Sequence, residues 1–401
     1  MYWEELYRGH TFGENLARIH RISNYTPFYN YFIILIKDVS FDLFLIKLLS
    51  FVFEIGGAII IMLIAKTVTK KRVSPIWFGV LMLIPPFLMN SSIWGQCDAI
   101  YTFFGILGFY LALKKQSFYA FIAFGASFAI KLQSVFIMPI ILVFLITKHL
   151  KWRYVPIIPV MYFVINCLPL LVGTPFLSIA LFYLWQTQSY DYKLSQVYNI
   201  PWLFESFALQ DGYTYAFMLV GFVSLTLGLV LYVVWRGIKT HMQRGLEDRD
   251  FVLLTAIITA TITMFLPKML ERFYYYTVMF AVLWVMCGWG TMRFRILVAI
   301  GLSAPLTIMS MDYLFWKFYR LDEFIITNVF LIIAMIVAFS AYAFAWFYLV
   351  KDEFFSCYVV KGEYYKSKEN LDKPLVDAQP IVTDVHTESM DKQPNDSERH
   401  E

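Results

Sequence analysis

Apolar residues run through this chain in long blocks, and the polar residues between them are few and clustered. The blocks fall at 43–65, 74–92, 99–113, 117–131, 134–147, 154–172, 213–236, 251–267, 273–290, 296–311 and 324–350. A bilayer core asks for about 20 apolar residues per spanning helix. The pattern therefore predicts an all-α, polytopic transmembrane helix bundle of about 11 spans over residues 43–350. Several blocks are short, which predicts tilted partners ending inside the protein. Ahead of the bundle lies a segment, 1–42, and its longest connection is 174–212. The tail, 361–401, is rich in Asp, Glu, Ser, Lys and Pro without apolar periodicity, and is expected to be a disordered appendage.

The connections sort by charge. Every second one is basic: Lys66, Lys70, Lys71 and Arg72; Lys114 and Lys115; Lys148, Lys151 and Arg153; Arg236, Lys239, Arg244 and Arg249; Arg293 and Arg295. The alternate connections hold Lys193, Lys268 and Arg272, with Lys131 at a helix end. Basic loops stay on the cytoplasmic side, so the first set and the tail are expected inside, and 1–42 and 174–212 outside. An external start with Arg8, Arg18 and Arg21 and no apolar leader is awkward to translocate. The charge parity thus calls for one further helix ahead of this chain, a cytoplasmic start and twelve spans.

Composition supports a membrane home. Of 401 residues, 59% are hydrophobic and only 15% charged, and mean hydropathy is +0.61. That leaves too little polar residue to cover one water-soluble core. A net charge of +4, without basic stretches interleaved with aromatics, is too mild to suggest nucleic acid, and none is expected as a partner. The four cysteines, Cys97, Cys167, Cys287 and Cys357, are too far apart for a zinc site or a disulfide scaffold.

Chemistry-bearing clusters all fall on the predicted external face. Asn24-Tyr25-Thr26-Pro27-Phe28-Tyr29 precedes the first block and also reads as an interfacial aromatic belt. Asn90 to Tyr101 contains Trp94, Gln96 and Asp98 at the mouth of an apolar hairpin. Trp94 offers a face for a sugar ring, Gln96 a donor and acceptor for hydroxyls, and Asp98 a carboxylate that can take a proton. The plainer reading of Asp98 is a cap for a helix beginning at Ala99. Lys131-Leu132-Gln133 joins two short apolar blocks; this lysine either faces an anion or polar cavity, or snorkels to the interface. In Pro267 to Tyr276, Lys268 and Arg272 can hold a phosphate with Glu271 orienting the guanidinium, the alternative being a surface ion pair. The 174–212 connection, with Trp185, Gln186, Gln188, Tyr190, Asp191, Lys193, Gln196, Tyr198, Asn199 and Trp202, suits a binding surface for polyhydroxyl ligands. Lys47 and Glu54 share a face of the first block and read as a structural pair, the alternative being that they line a cavity.

The order of these motifs resembles the polyprenyl-phosphate-sugar-dependent membrane glycosyltransferases of the GT-C superfamily, in particular a bacterial mannosyltransferase-like group distantly similar to the second GPI mannosyltransferase. Asn24 to Tyr29 is similar to their N-Y-P-P-x-Y, Trp94 to Asp98 to W-G-Q-x-D, Lys131 to Gln133 to K-x-Q, and Met269 to Phe273 to M-H-E-R-Y. The resemblance covers residues 1 to about 290.

It implies transfer of a hexose, of mannose or glucose type, with inversion, from a polyprenyl-phosphate carrier to a glycan or glycolipid hydroxyl outside the cell membrane. Asp98 would be catalytic, with Asn24, Tyr25, Tyr29, Trp94, Gln96, Lys131, Gln133, Lys268, Glu271 and Arg272 binding substrate. The partners implied are the lipid-linked donor, the acceptor and membrane lipid. No cofactor is fixed by the motifs, and a divalent metal stays open.

Two features depart from the family. Its members begin with a spanning helix whose outer end carries an acidic residue, followed by a segment like Tyr2-Trp3-Glu4-Glu5-Leu6-Tyr7, and here the chain starts inside that segment. Leu270 stands where the family has His, and Phe273 where it has Tyr. The competing expectations are a transporter or flippase of lipid-linked sugar, and a catalytically impaired relative acting as a partner subunit.

Overall fold

The computed structural model describes residues 6–23, 25–88, 96–188, 194–195, 199–208, 211–288, 291–319 and 332–347, all within the unit Met1–Val350. The expected tail, 361–401, lies outside them. Among the described residues every regular element is helical and there is no strand. Among the described residues, Asp42–Thr69 and Gly212–Arg244 are long and apolar enough to cross a membrane by length and composition, and six shorter apolar helical stretches have 10–17 residues. At 1.5 Å per residue, Asp42–Thr69 is about 42 Å long. Both long helices turn large apolar side chains outward: Phe44, Val52 and Ile59 on one, Phe217, Val220 and Trp235 on the other.

The centre is an antiparallel hairpin, Asp98–Leu113 and Ser117–Ile130. Its turn is three residues long because Lys115 adopts a left-handed conformation (φ 59°), which lets the Gln116 amide reach back to the Leu111 carbonyl at 2.9 Å. Glycine then allows the two helices to approach. A Cβ at Gly108 would lie 2.7 Å from the Phe124 ring, and the Ser127 hydroxyl donates to the Tyr101 carbonyl at 2.6 Å. Small residues at such contacts give close backbone packing where hydrophobic drive is weak.

The remaining helices pack around this hairpin. Asp42–Thr69 meets it where Gly56 faces Phe103. Ile157–Asn166 meets it where Gly125 faces Met161, and Asn166 Nδ2 donates to the Ala129 carbonyl at 2.9 Å. Beyond lie Asp248–Phe265 and Tyr275–Cys287, linked by the Thr263 and Thr277 hydroxyls at 3.2 Å. Phe144 stacks on Phe251, with ring centroids 4.4 Å apart, and ties this layer to the hairpin side.

Several elements differ from the apolar blocks. The expected span 74–92 is broken: Ile76–Leu83 ends at Ile84, where Pro85 and Pro86 remove two backbone donors, and only Pro85–Phe87 follows. In place of one helix over 134–147 there is a 3-10 turn, Leu132–Ile137, and then Met138–Ile146. The block 154–172 divides into Ile157–Asn166 and Leu168–Leu171 next to Pro169. Segment 1–42 is more structured than the blocks imply. It contains an amphipathic helix, Phe12–Ile22, and a short apolar one, Pro27–Ile36. The connection 174–212 includes the helices Phe176–Ala180 and Phe182–Gln188. The blocks at 213–236 and 296–311 extend to Gly212–Arg244 and Met292–Tyr319, continued by polar and basic residues such as Lys239 and Arg244 in the first and largely by aromatic ones after Met311 in the second.

Candidate functional site

The hairpin geometry decides what its open end carries. Asp98 is the first residue of one helix and Lys131 the C-cap of the other, so an antiparallel pair sets them side by side. The cap of the first helix is Cys97, with no side-chain capping bond. The Asp98 carboxylate is turned to Lys131 instead, whose ammonium donates to its Oδ1. Asp98 is fully buried and Lys131 only 4% exposed, so the lysine does not snorkel. Helix 117–130 stops here because Lys131 is extended (φ −155°, ψ 139°), and this frees its side chain to turn inward.

Three aromatic faces surround that ammonium. The Tyr101 ring centroid is 5.4 Å from Nζ, and those of Tyr25 and Phe273 are each 5.7 Å away. Contacts of this kind reach about 2 kcal/mol when desolvated. Phe273 also lies against the guanidinium of its neighbour Arg272, at 5.9 Å. Two cations therefore share one ring, and Arg272 acts electrostatically on Tyr25, Cys97 and Lys131.

The N-terminal segment closes over this group. Thr26 donates to the Ile130 carbonyl at 2.7 Å, next to Lys131. Asn30 holds the Tyr25 and Thr26 carbonyls at 2.8 and 2.9 Å, and Tyr7 donates to Asn30 Oδ1 at 2.6 Å. Tyr25 reaches Gln96 Oε1 at 3.4 Å, and Tyr29 packs on Tyr25 with centroids 5.2 Å apart.

Of the residues singled out in the sequence, Tyr25, Tyr29, Gln96, Asp98, Lys131 and Arg272 are thus gathered. Gln133 is buried, and its Oε1 accepts no hydrogen bond among the described residues. Lys268 belongs to a different contact: its backbone, at φ 56°, donates to the Leu194 carbonyl at 2.7 Å. Asn24, Trp94 and the Glu271 side chain lie outside the described residues, as do Tyr190, Asp191, Lys193, Gln196 and Tyr198. Among the described residues, no group of three or more His, Cys, Asp and Glu side chains is placed to hold a metal ion.

Sequence reasoning passed over the supports. Tyr101 was legible, since it sits three residues after Asp98 on one helix face. Beneath the ion pair, Ser127 meets Ser134 at 2.9 Å and the Tyr276 hydroxyl at 3.1 Å. A Cβ at Gly105 would come within 1.9 Å of that hydroxyl. Ser50 donates to the Gln96 carbonyl at 2.8 Å, and one turn further Glu54 accepts from Tyr275 at 3.1 Å. One face of Asp42–Thr69 therefore braces both the Asp98 side and the Arg272 side of the site. Lys47, expected to pair with Glu54, is half-buried on the same helix.

Comparisons with protein-family models, with curated proteins and with solved structures find no match to this chain.

Proposed function

We propose that the chain is a multi-pass membrane glycosyltransferase of GT-C type. It moves a hexose from a polyprenyl-phosphate carrier to an acceptor hydroxyl on the external face, with inversion, for surface glycan or glycolipid assembly. The observation that carries this reading is the convergence of four distant segments at one end of the helical hairpin. Tyr25, Gln96 with Asp98, Lys131, and Arg272 with Phe273 come together there, and each belongs to a motif that resembles the family's. The outward apolar faces of Asp42–Thr69 and Gly212–Arg244 suit hydrocarbon, and the charge parity of the loops favours an external position for the hairpin's open end.

In this reading Arg272 and Lys131 hold the carrier's phosphate, whose charge grows as the sugar departs, and Asp98 accepts the acceptor's proton. Fixed cations in a water-excluded site stabilise such a leaving group strongly. Tyr25, Gln96 and Gln133 supply hydrogen-bonding groups for sugar hydroxyls. Phe273, in the place of the family's tyrosine, keeps the ring that faces Lys131 and gives up only the hydroxyl.

Replacing Asp98 by Asn in cells that express the chain from its own locus tests the reading. The expected outcome is loss of the dependent surface glycan even where expression is raised until the inserted variant matches the wild-type amount, since the unpaired lysine also lowers its stability. Unchanged glycan from a correctly inserted Asp98→Asn chain would refute it.

A further inference from the structure

We propose that the donor's phosphate itself releases the base: an anionic carrier arriving at Lys131 displaces the Asp98 carboxylate, which only then can take the acceptor's proton. This rests on the glycosyl-transfer reading of the same site. Asp98 has no exposed surface and is bound to an ammonium that is itself buried. Its Oδ1 is taken up by that ammonium, and with no exposed surface the carboxylate cannot meet an acceptor hydroxyl until the pair opens.

The cation, by contrast, is fixed. The rings of Tyr25, Tyr101 and Phe273 enclose its Nζ, so an exchange of partners takes place around a stationary ammonium. Phosphate is a suitable competitor for it. Arg272 lies against the same Phe273 ring and acts electrostatically on Lys131, so a second cation stands beside the first. Gln133 Oε1, buried two residues beyond Lys131 and accepting no hydrogen bond among the described residues, is an acceptor that a sugar hydroxyl can fill.

The step balances. The acceptor's O–H proton passes to the freed Asp98 carboxylate as its oxygen bonds to the anomeric carbon. The bond from that carbon to the phosphate oxygen breaks with its electron pair. The carrier leaves as a phosphomonoester dianion held by Lys131 and Arg272, and Asp98 ends neutral. Because the carboxylate is free only with donor present, the reaction order is fixed: donor first, acceptor second.

Labelling with dicyclohexylcarbodiimide tests this on the full chain in nanodiscs, read residue by residue by mass spectrometry. A released buried carboxyl takes up a proton and reacts, whereas one held in an ion pair does not. Polyprenyl phosphate should raise labelling of Asp98 several-fold, while neutral polyprenol should not. Glu54, buried and bonded to Tyr275, serves as internal reference and should stay constant. The Lys131→Gln chain should label at Asp98 without any ligand; should that variant fold poorly, the ligand series on the wild-type chain decides alone. If polyprenyl phosphate raises the unfolding temperature above that with polyprenol while Asp98 labelling is unchanged, the release mechanism is wrong and the transfer reading survives. If polyprenyl phosphate neither stabilises the chain nor alters labelling, both fall.

Discussion

Asp98 and Lys131 form a buried ion pair. Removing one partner of a buried pair leaves a charge in low dielectric and costs about 3–5 kcal/mol, while removing both together costs far less. Asp98→Asn and Lys131→Met should therefore each lower the unfolding temperature sharply in nanodiscs, and the double variant should lie well above the sum of the two losses. Additive losses would mean that the pair is not the contact holding these residues. Gly105 makes a second residue-level case, since any Cβ there collides with the Tyr276 hydroxyl. Gly105→Ala must push Tyr276 off Ser127, at about 1–3 kcal/mol for overpacking. Tyr276→Phe loses only the hydroxyl's contacts with Ser127 and the Tyr101 carbonyl, at about 1 kcal/mol. Thermal unfolding should rank the two in that order.

At the scale of the element, helix ends are where the sequence spoke least clearly. Phe12–Ile22 is fixed by a capping box, with Glu14 bound to the Thr11 amide. Gly212–Arg244 begins on Asp211, which accepts from the Thr214 amide at 2.7 Å. In both, the backbone hydrogen bond holds the carboxyl below its ordinary value, 4.5 for Glu14 and 3.8 for Asp211. A depressed folded-state value means that the cap stabilises fully above the ordinary value and is lost as pH falls through the depressed one. Hydrogen exchange at the amides of Thr11 and Thr214 should stay protected down to about pH 4 and rise below it. Protection that is flat with pH would show that the carboxylates do not cap.

The long apolar runs made most helices legible, because hydrophobic length alone specifies them. The break at Lys131 was legible too, since two apolar blocks part there, whereas those at Ile84 and Cys167 were hidden because Pro85, Pro86 and Pro169 lie inside apolar runs long enough to read as one span. Phe12–Ile22 was hidden for the opposite reason: its polar face keeps it out of any hydropathy window. The site itself was partly legible. Asp98, Lys131 and Arg272 stand out as charges beside apolar blocks, whereas Ser50, Ser127 and Asn30 support them through carbonyls that no residue type advertises.

For the whole molecule, the account requires the hairpin turn and the ion pair to lie on opposite faces of the membrane. Cysteine placed at Tyr213, a 91% exposed position, should react with an impermeant maleimide in intact cells. Cysteine at Lys115, in the hairpin turn, should react only after permeabilisation. The reverse pattern would put the open end of the hairpin inside. The most direct test of the central claim is a turnover measurement on the purified full chain in nanodiscs, with polyprenyl phosphate bearing labelled mannose or glucose and an acceptor extract. The account predicts that label leaves the carrier one-for-one with the appearance of free polyprenyl phosphate, and that Asp98→Asn abolishes both. A carrier that stays intact with both sugars, or an Asp98→Asn chain that turns over as fast as the wild type, would contradict it.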